Sequence, residues 1–201
     1  SRMVSLKRSW SRISEDYQRR SKIPTDDVYY GDFIPSEKEL RLVGDVKEKQ
    51  VLEIGCGGGQ NSIVLAKQGA IVSGIDLSGK QIAYARVLAK REHVKVDFSV
   101  GDMQDLSRFA DASFDIVVTA VSLLYVESLD RTFSEVYRVL KTGGVFIFSE
   151  GHPFAEGKLI QHRGKSVYAV ADYFKRRKIR WVDKLGDGTK VKMFSYHRPL
   201  Q

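Results

Sequence analysis

The stretch from Val51 to Asn61, VLEIGCGGGQN, constrains this chain more than any other. Val51, Leu52 and Ile54 form a short apolar run carrying one acid, Glu53, and the run meets Gly55, Gly57, Gly58 and Gly59 before helix-forming residues begin. That order spells a strand, a tight turn and a helix start. Glycine serves where backbone takes positive φ or where a ligand must lie against the main chain, because a Cβ would obstruct both. The turn is therefore expected to cradle a ligand.

The residues that follow repeat the theme. Apolar strand candidates lie at 51–54, 71–75, 96–100, 114–119 and 144–149, separated by helical stretches at about 60–68, 78–91 and 131–140 and by a shorter segment around 104–109. Short apolar strands alternating with amphipathic helices predict an α/β fold, a doubly wound parallel sheet with helices on both faces and right-handed crossovers. In such sheets a ligand sits at the carboxyl ends of the strands, where strand order reverses. The glycine turn stands at such an end.

On either side the pattern differs. Residues 3–22 space Val4, Leu6, Trp10, Ile13 and Tyr17 as one helix face, ended near Pro24. A loop follows over 25–35, and Pro35-Ser36-Glu37 opens a short helix to about Val43. After Ser149 aromatic residues interleave with the basic run Lys175, Arg176, Arg177, Lys178 and Arg180. Gly186-Asp187-Gly188 then separates two alternating stretches, 173–183 and 189–197, which predicts a β-hairpin.

With 201 residues, 42% of them hydrophobic, one domain with a sizeable core is expected. Its parts are a helical cap over 1–44, a ligand-binding core over 45–154 and a basic, aromatic hairpin insert over 155–201 covering the acceptor site. The net charge of +8 divides as +2 for residues 1–50, −2 for 51–150 and +8 for 151–201, so attraction to an anionic partner would reside in the last quarter. Cys56 is the single cysteine, which excludes an internal disulfide and fits a reducing compartment. No apolar run approaches the roughly 18 residues of a membrane helix and no signal segment opens the chain, so a cytoplasmic protein without membrane contact is expected. Ser1 and Arg2, ahead of Met3, read as a cloning remnant.

The glycine spacing excludes one nucleotide fingerprint. Gly-x-Gly-x-x-Gly counted from Gly55 places Gln60 at the third glycine. The spacing present, Gly-x-Gly-x-Gly with Glu53 two residues ahead, resembles the first motif of the class I S-adenosylmethionine-dependent methyltransferases, of the small-molecule, methyltransferase domain 11-like type. Further stretches fall in the family's order: Ile75-Asp76-Leu77-Ser78, Gly101-Asp102-Met103, Phe114 to Val118, and Arg138 to Gly144. The resemblance implies a Rossmann-like sheet of order 3-2-1-4-5 under an N-terminal helical lid, with S-adenosyl-L-methionine as cofactor and S-adenosyl-L-homocysteine as product.

Site roles follow from the same resemblance. Gly55, Cys56, Gly57, Gly59 and Asn61 surround the cofactor's methionine end, and Glu53 attracts its ammonium group. Asp76 and Leu77 take the ribose, Asp102 and Met103 flank the adenine, and Ala120, just past the fourth strand, lines the cleft. Tyr17 of the lid helix reaches the carboxylate, with Trp10 nearby. Candidate bases are His152, in Ser149-Glu150-Gly151-His152-Pro153, then Tyr125 and His197. Cys56 reads as a small side chain in a crowded turn, since methyl transfer needs no enzyme nucleophile. No metal is implied. The family fold continues past a His-Arg-Pro stretch like Arg198-Pro199 with a helix and two antiparallel strands, so a truncated form with an open sheet edge and two strands missing is expected.

Three functions fit these residues. The first is methyl transfer to a small-molecule acceptor. The second is RNA methylation, with the basic hairpin gripping phosphates. The third is a non-catalytic partner protein retaining the fold. Acceptor identity, the atom methylated and oligomeric state are not written in the motifs.

Overall fold

Alternation within single strands decides the architecture. Val51 packs into one apolar cluster with Ile116 and Val118, while Leu52, Ile54 and Val117 pack into a second on the opposite side. Strands apolar on both faces need cover on both. The computed structural model describes residues 2–32, 34–152, 158–169 and 173–199. Its central sheet is parallel: β1 (Gln50–Ile54), β2 (Ile71–Asp76), β3 (Asp97–Val100), β4 (Phe114–Ala120) and β5 (Leu140–Ser149), in the order β3-β2-β1-β4-β5. This is the expected Rossmann-like order, and it reverses between β1 and β4.

Helices α3 (Gln60–Lys67), α4 (Gly79–Arg91) and α5 (Leu129–Val139) connect the strands. Ser78 caps α4 through its Oγ, which accepts from the Gln81 amide at 3.3 Å, and Ser128 caps α5 in the same way from the Arg131 amide at 3.2 Å. Between β3 and β4 the chain runs in turns held by Arg138. Its guanidinium donates to the carbonyls of Leu106 and Phe109 and pairs with Glu135 and Asp111. The carboxyl ends of β1, β2, β3 and β4 thus lie along one edge and carry Gly55, Asp76, Gly101 and Ala120 there.

Helix α1 (Arg2–Ser21) crosses this edge as the expected lid, packed on α4 and on the hairpin of β8 (Arg177–Lys184) and β9 (Lys190–His197). Ile13 of α1 meets Val191 and Met193 of β9, and Ser9 Oγ donates to the Lys192 carbonyl at 2.8 Å. No helix among the described residues is long and apolar enough to cross a membrane.

Several boundaries differ from expectation. The short helix α2 (Glu37–Leu40) stops before Val43 because Arg41 turns left-handed at φ 50°, and the Glu37 carboxylate instead gathers the amides of Leu42, Val43 and Gly44. Strand β5 starts at Leu140 rather than at 144. A register shift between Phe114 and Ile116 lets Leu140 pair with Phe114 before Val145 pairs with Ile116. The hairpin's first strand begins at Arg177, four residues later than expected. A second hairpin, β6 (Lys158–His162) with β7 (Lys165–Ala169), was not foreseen and turns on Arg163-Gly164, both at positive φ. Residues 153–157 and 170–172 of the expected insert, including Pro153, lie outside the described residues, as do Leu200 and Gln201.

Candidate active site

The glycine turn works through two different glycines. At Gly59, φ +77°, a Cβ would meet Phe98 Cζ at 2.5 Å and Ala85 Cβ at 2.9 Å, so glycine here lets α3 begin hard against β3 and α4. Gly57, φ +52°, has no atom within 4 Å of where a Cβ would stand, and it borders the cleft above the turn. Its open side faces empty space rather than any described side chain. The turn is fastened to β2 by the Cys56 amide, which donates to the Ile75 carbonyl at 2.9 Å.

Three carboxylates converge around it. Asp76, ending β2, accepts from the Gly57 amide at 3.0 Å and from the Ser78 amide at 2.8 Å, one bond to each oxygen. Burial pushes its pKa up to about 6, against the lowering effect of those two amides. Glu53 is buried at the end of β1 and accepts from the amide and hydroxyl of Ser62, which anchors α3. Burial, reinforced by Asp76, raises Glu53 to about 7 despite the Ser62 bonds. Asp102, past β3, holds the amide of Gln104 at 3.0 Å, while Gln104 Oε1 accepts from the Ser128 amide.

These groups line one cleft made of two joined cavities of about 920 Å³ and 670 Å³. Asp76, Leu77, Asp102, Met103 and Tyr125 border the larger, and Glu53, Cys56, Asn61 and Gln60 the smaller. Tyr17, Gly55, Gly57, Ala120 and Val121 border both. All of the expected cofactor residues except Gly59 therefore stand at the cleft. Gly59 is withdrawn into the packing described above. Asn61 exchanges two hydrogen bonds with the Tyr29 backbone, at 2.7 and 2.8 Å, so its amide latches the 28–30 loop. Among the described residues no Lys, Arg or His lines either cavity.

The candidate bases separate. Tyr125 lines the larger cavity, but burial and the charges of Tyr17, Glu150 and Asp183 raise its phenol above the ordinary tyrosine value, so it is a hydrogen-bond donor near neutral pH and not a base. His152 is exposed in a neighbouring groove with Leu124, Glu150 and Arg198, which shares Tyr196 with the larger cavity but does not bring His152 to it. His197 is buried with Nε2 2.7 Å from the Tyr173 carbonyl, away from the cleft. Burial raises the Cys56 thiol well above its usual range, which keeps it protonated and inert. Among the described residues no group of three His, Cys, Asp or Glu side chains could hold a metal ion.

Other site residues carried no local signal. Gln18 of α1 reaches Gln60 and Gln81 under the lid, and Phe194 and Tyr196 of β9 enter the larger cavity. Val121, just past β4, holds φ +51°, a left-handed conformation that a β-branched residue rarely adopts and that is concentrated at functional sites.

Residues 52–148 match the family model described as a methyltransferase domain. Fold and match agree on one class: residues 52–148 resemble the core of the class I S-adenosylmethionine-dependent methyltransferases. An uncharacterized methyltransferase of Bacillus subtilis, YbaJ, is 41% identical over 102 residues, which cover 51% of this chain and 40% of that protein. A ubiquinone biosynthesis O-methyltransferase of Coxiella burnetii is 36% identical over 113 residues, covering 56% of this chain and 46% of that protein. The chain thus spans less than half the length of these curated relatives. Among solved structures, an S-adenosylmethionine-dependent methyltransferase of Mesorhizobium loti superposes with a TM-score of 0.61 at 27% identity, over 78% of this chain and 70% of that one.

Proposed function

We propose that the protein is an enzyme that transfers a methyl group from S-adenosyl-L-methionine to a small-molecule acceptor, releasing S-adenosyl-L-homocysteine. The observation that carries this reading is that Glu53, Asp76 and Asp102 border one cleft with Gly57, where none of the described lining residues is basic. A cationic cofactor bearing an ammonium and a sulfonium suits such a cleft, and an anionic dinucleotide does not. When bound, the cofactor supplies an activated methyl group, and no enzyme nucleophile is required.

Each residue then has a task. Asp76 retains a lone pair on each oxygen beyond the two amides it accepts, enough for two ribose hydroxyls. Leu77 and Met103 offer apolar surface beside Asp102 for a purine. The amides about Gly57, next to the N-terminus of α3, suit a carboxylate, and Glu53 faces the ammonium end. Lid helix α1 closes over the cleft with Tyr17 and Trp10 and excludes water. Alignment of acceptor and methyl group in this enclosure supplies the catalysis. The basic hairpin is read as structural support, since Lys178 is spent on the Phe194 ring.

Isothermal titration with S-adenosyl-L-homocysteine tests the reading. Micromolar binding is expected. Asp76→Ala removes two charge-assisted hydrogen bonds and should weaken binding by about 100-fold. Binding of NAD in its place, or binding of neither, overturns the proposal.

A further inference from the structure

The larger cavity also has an apolar, aromatic side. Its wall is built from Leu6 and Trp10 of α1, Tyr125 and Val126 after β4, and Phe194 and Tyr196 of β9. The rings stand edge to face. Trp10 and Tyr125 have centroids 5.1 Å apart at 88°, and Phe194 and Tyr196 have centroids 5.9 Å apart at 87°. Walls of this kind gain most from flat apolar surface.

Charge narrows the class of molecule further. An anion would face Asp76, Asp102 and Glu127, and among the described residues no cationic side chain lines the cavity. A cation would find the rings already engaged: Lys178 Nζ lies 3.2 Å from the Phe194 centroid, and Arg198 Cζ lies 5.1 Å from the Tyr196 centroid. The two sets of charge offset one another, so an ion of either sign gains little for the water it gives up, which leaves a neutral molecule. Tyr125 supplies the polar contact, because no hydrogen bond among the described residues engages its hydroxyl.

We propose that this side of the cleft is an acceptor site for a neutral, ring-bearing molecule, packed by Trp10, Phe194 and Tyr196 and oriented by a hydrogen bond that its nucleophilic O–H or N–H donates to the Tyr125 oxygen, which leaves a lone pair free to take the methyl group. The inference rests on the methyltransferase reading, and it assigns Phe194 to acceptor specificity and Tyr125 to positioning.

Three probes sharing one ring and differing in charge test it: 2-naphthol, 2-naphthoate and 2-naphthylmethylammonium, titrated at pH 7 into protein saturated with S-adenosyl-L-homocysteine. The neutral probe should bind about tenfold more tightly than either ion. Equal or tighter binding of the carboxylate or of the ammonium overturns the assignment. Phe194→Ala should weaken 2-naphthol about tenfold while leaving the affinity for S-adenosyl-L-homocysteine within about twofold. Should that variant not fold, Tyr125→Phe decides. It should weaken 2-naphthol about fivefold and leave naphthalene, which has no oxygen, unchanged. Loss on both probes or on neither contradicts the role given to Tyr125. Failure of S-adenosyl-L-homocysteine to bind would sink the methyltransferase reading instead. The naphthyl series needs only the folded cleft and is then read on unliganded protein.

Discussion

Gln60 Nε2 donates to Gln18 Oε1 across 2.6 Å, and Gln18 Nε2 donates in turn to Gln81 Oε1 across 2.8 Å. All three amides are buried, so lid helix α1 is tied to the starts of α3 and α4 by polar contacts beside the glycine turn. Such bonds contribute about 1 kcal/mol each net, whereas a buried amide left unpaired costs about 1–3 kcal/mol. Gln18→Leu strands Gln60 and Gln81 and should loosen the lid. The expected result is an increase of about tenfold in the release rate of S-adenosyl-L-homocysteine, with faster hydrogen exchange across residues 5–21. Unchanged exchange there would show that the amides do not hold the lid.

Glu53 makes cofactor affinity depend on pH. With its pKa raised to about 7 in the unliganded fold, it is about half protonated near neutrality, and only the carboxylate attracts an ammonium group. Affinity for S-adenosyl-L-homocysteine should therefore fall as pH drops from 8 to 6, and Glu53→Gln should flatten this profile. Stability runs the other way. A carboxyl whose folded-state pKa lies above its unfolded value favours folding below the unfolded value, and that contribution is lost as pH rises through about 7. Unliganded wild type should thus lose melting temperature between pH 5 and 8 relative to Glu53→Gln. A parallel pair of melting profiles would contradict the raised value.

At Gly57 stability and binding should part company. Alanine there accepts a left-handed conformation at a cost of about 1 kcal/mol, and among the described residues none beyond its chain neighbours comes within 4 Å of the added methyl. Melting temperature should fall by about 3 °C. Cofactor binding should drop far more, about 100-fold, because the methyl points into the space the cofactor needs. Calorimetry and titration on one sample distinguish the two effects, and a variant that binds normally would remove Gly57 from the site.

What was legible in the sequence was local. The end of an apolar run fixes the end of a strand, so Asp76 and Asp102 could be placed at strand ends, and the sheet brings such ends together. Gln60 could be read as a departure from the dinucleotide fingerprint, but its partner Gln18 lies 42 residues away and no short-range pattern pairs them. His152 was legible as following β5, yet which groove it borders is a tertiary outcome. The β6–β7 hairpin had a signal in Arg163-Gly164, a two-residue turn between alternating stretches. Phe194 and Tyr196 alternate as strand residues must, and only the docking of β9 against α1 turns them into the cleft.

Val121 offers a test of strain at the site. Its φ of +51° crowds a β-branched side chain against its own backbone, its amide is fixed to the Ser149 carbonyl at 2.8 Å, and it is 41% exposed, so little packing rewards the conformation. Asparagine adopts this region more readily. Val121→Asn should relieve about 1 kcal/mol of strain and raise the melting temperature of the unliganded protein by about 3 °C. Affinity for S-adenosyl-L-homocysteine should stay within about threefold, because the backbone that borders the cleft keeps its path. A fall in melting temperature would mean that the packing of the Val121 side chain beside Gly31 outweighs the strain. The residue would then be held for packing rather than tolerated at the edge of a site.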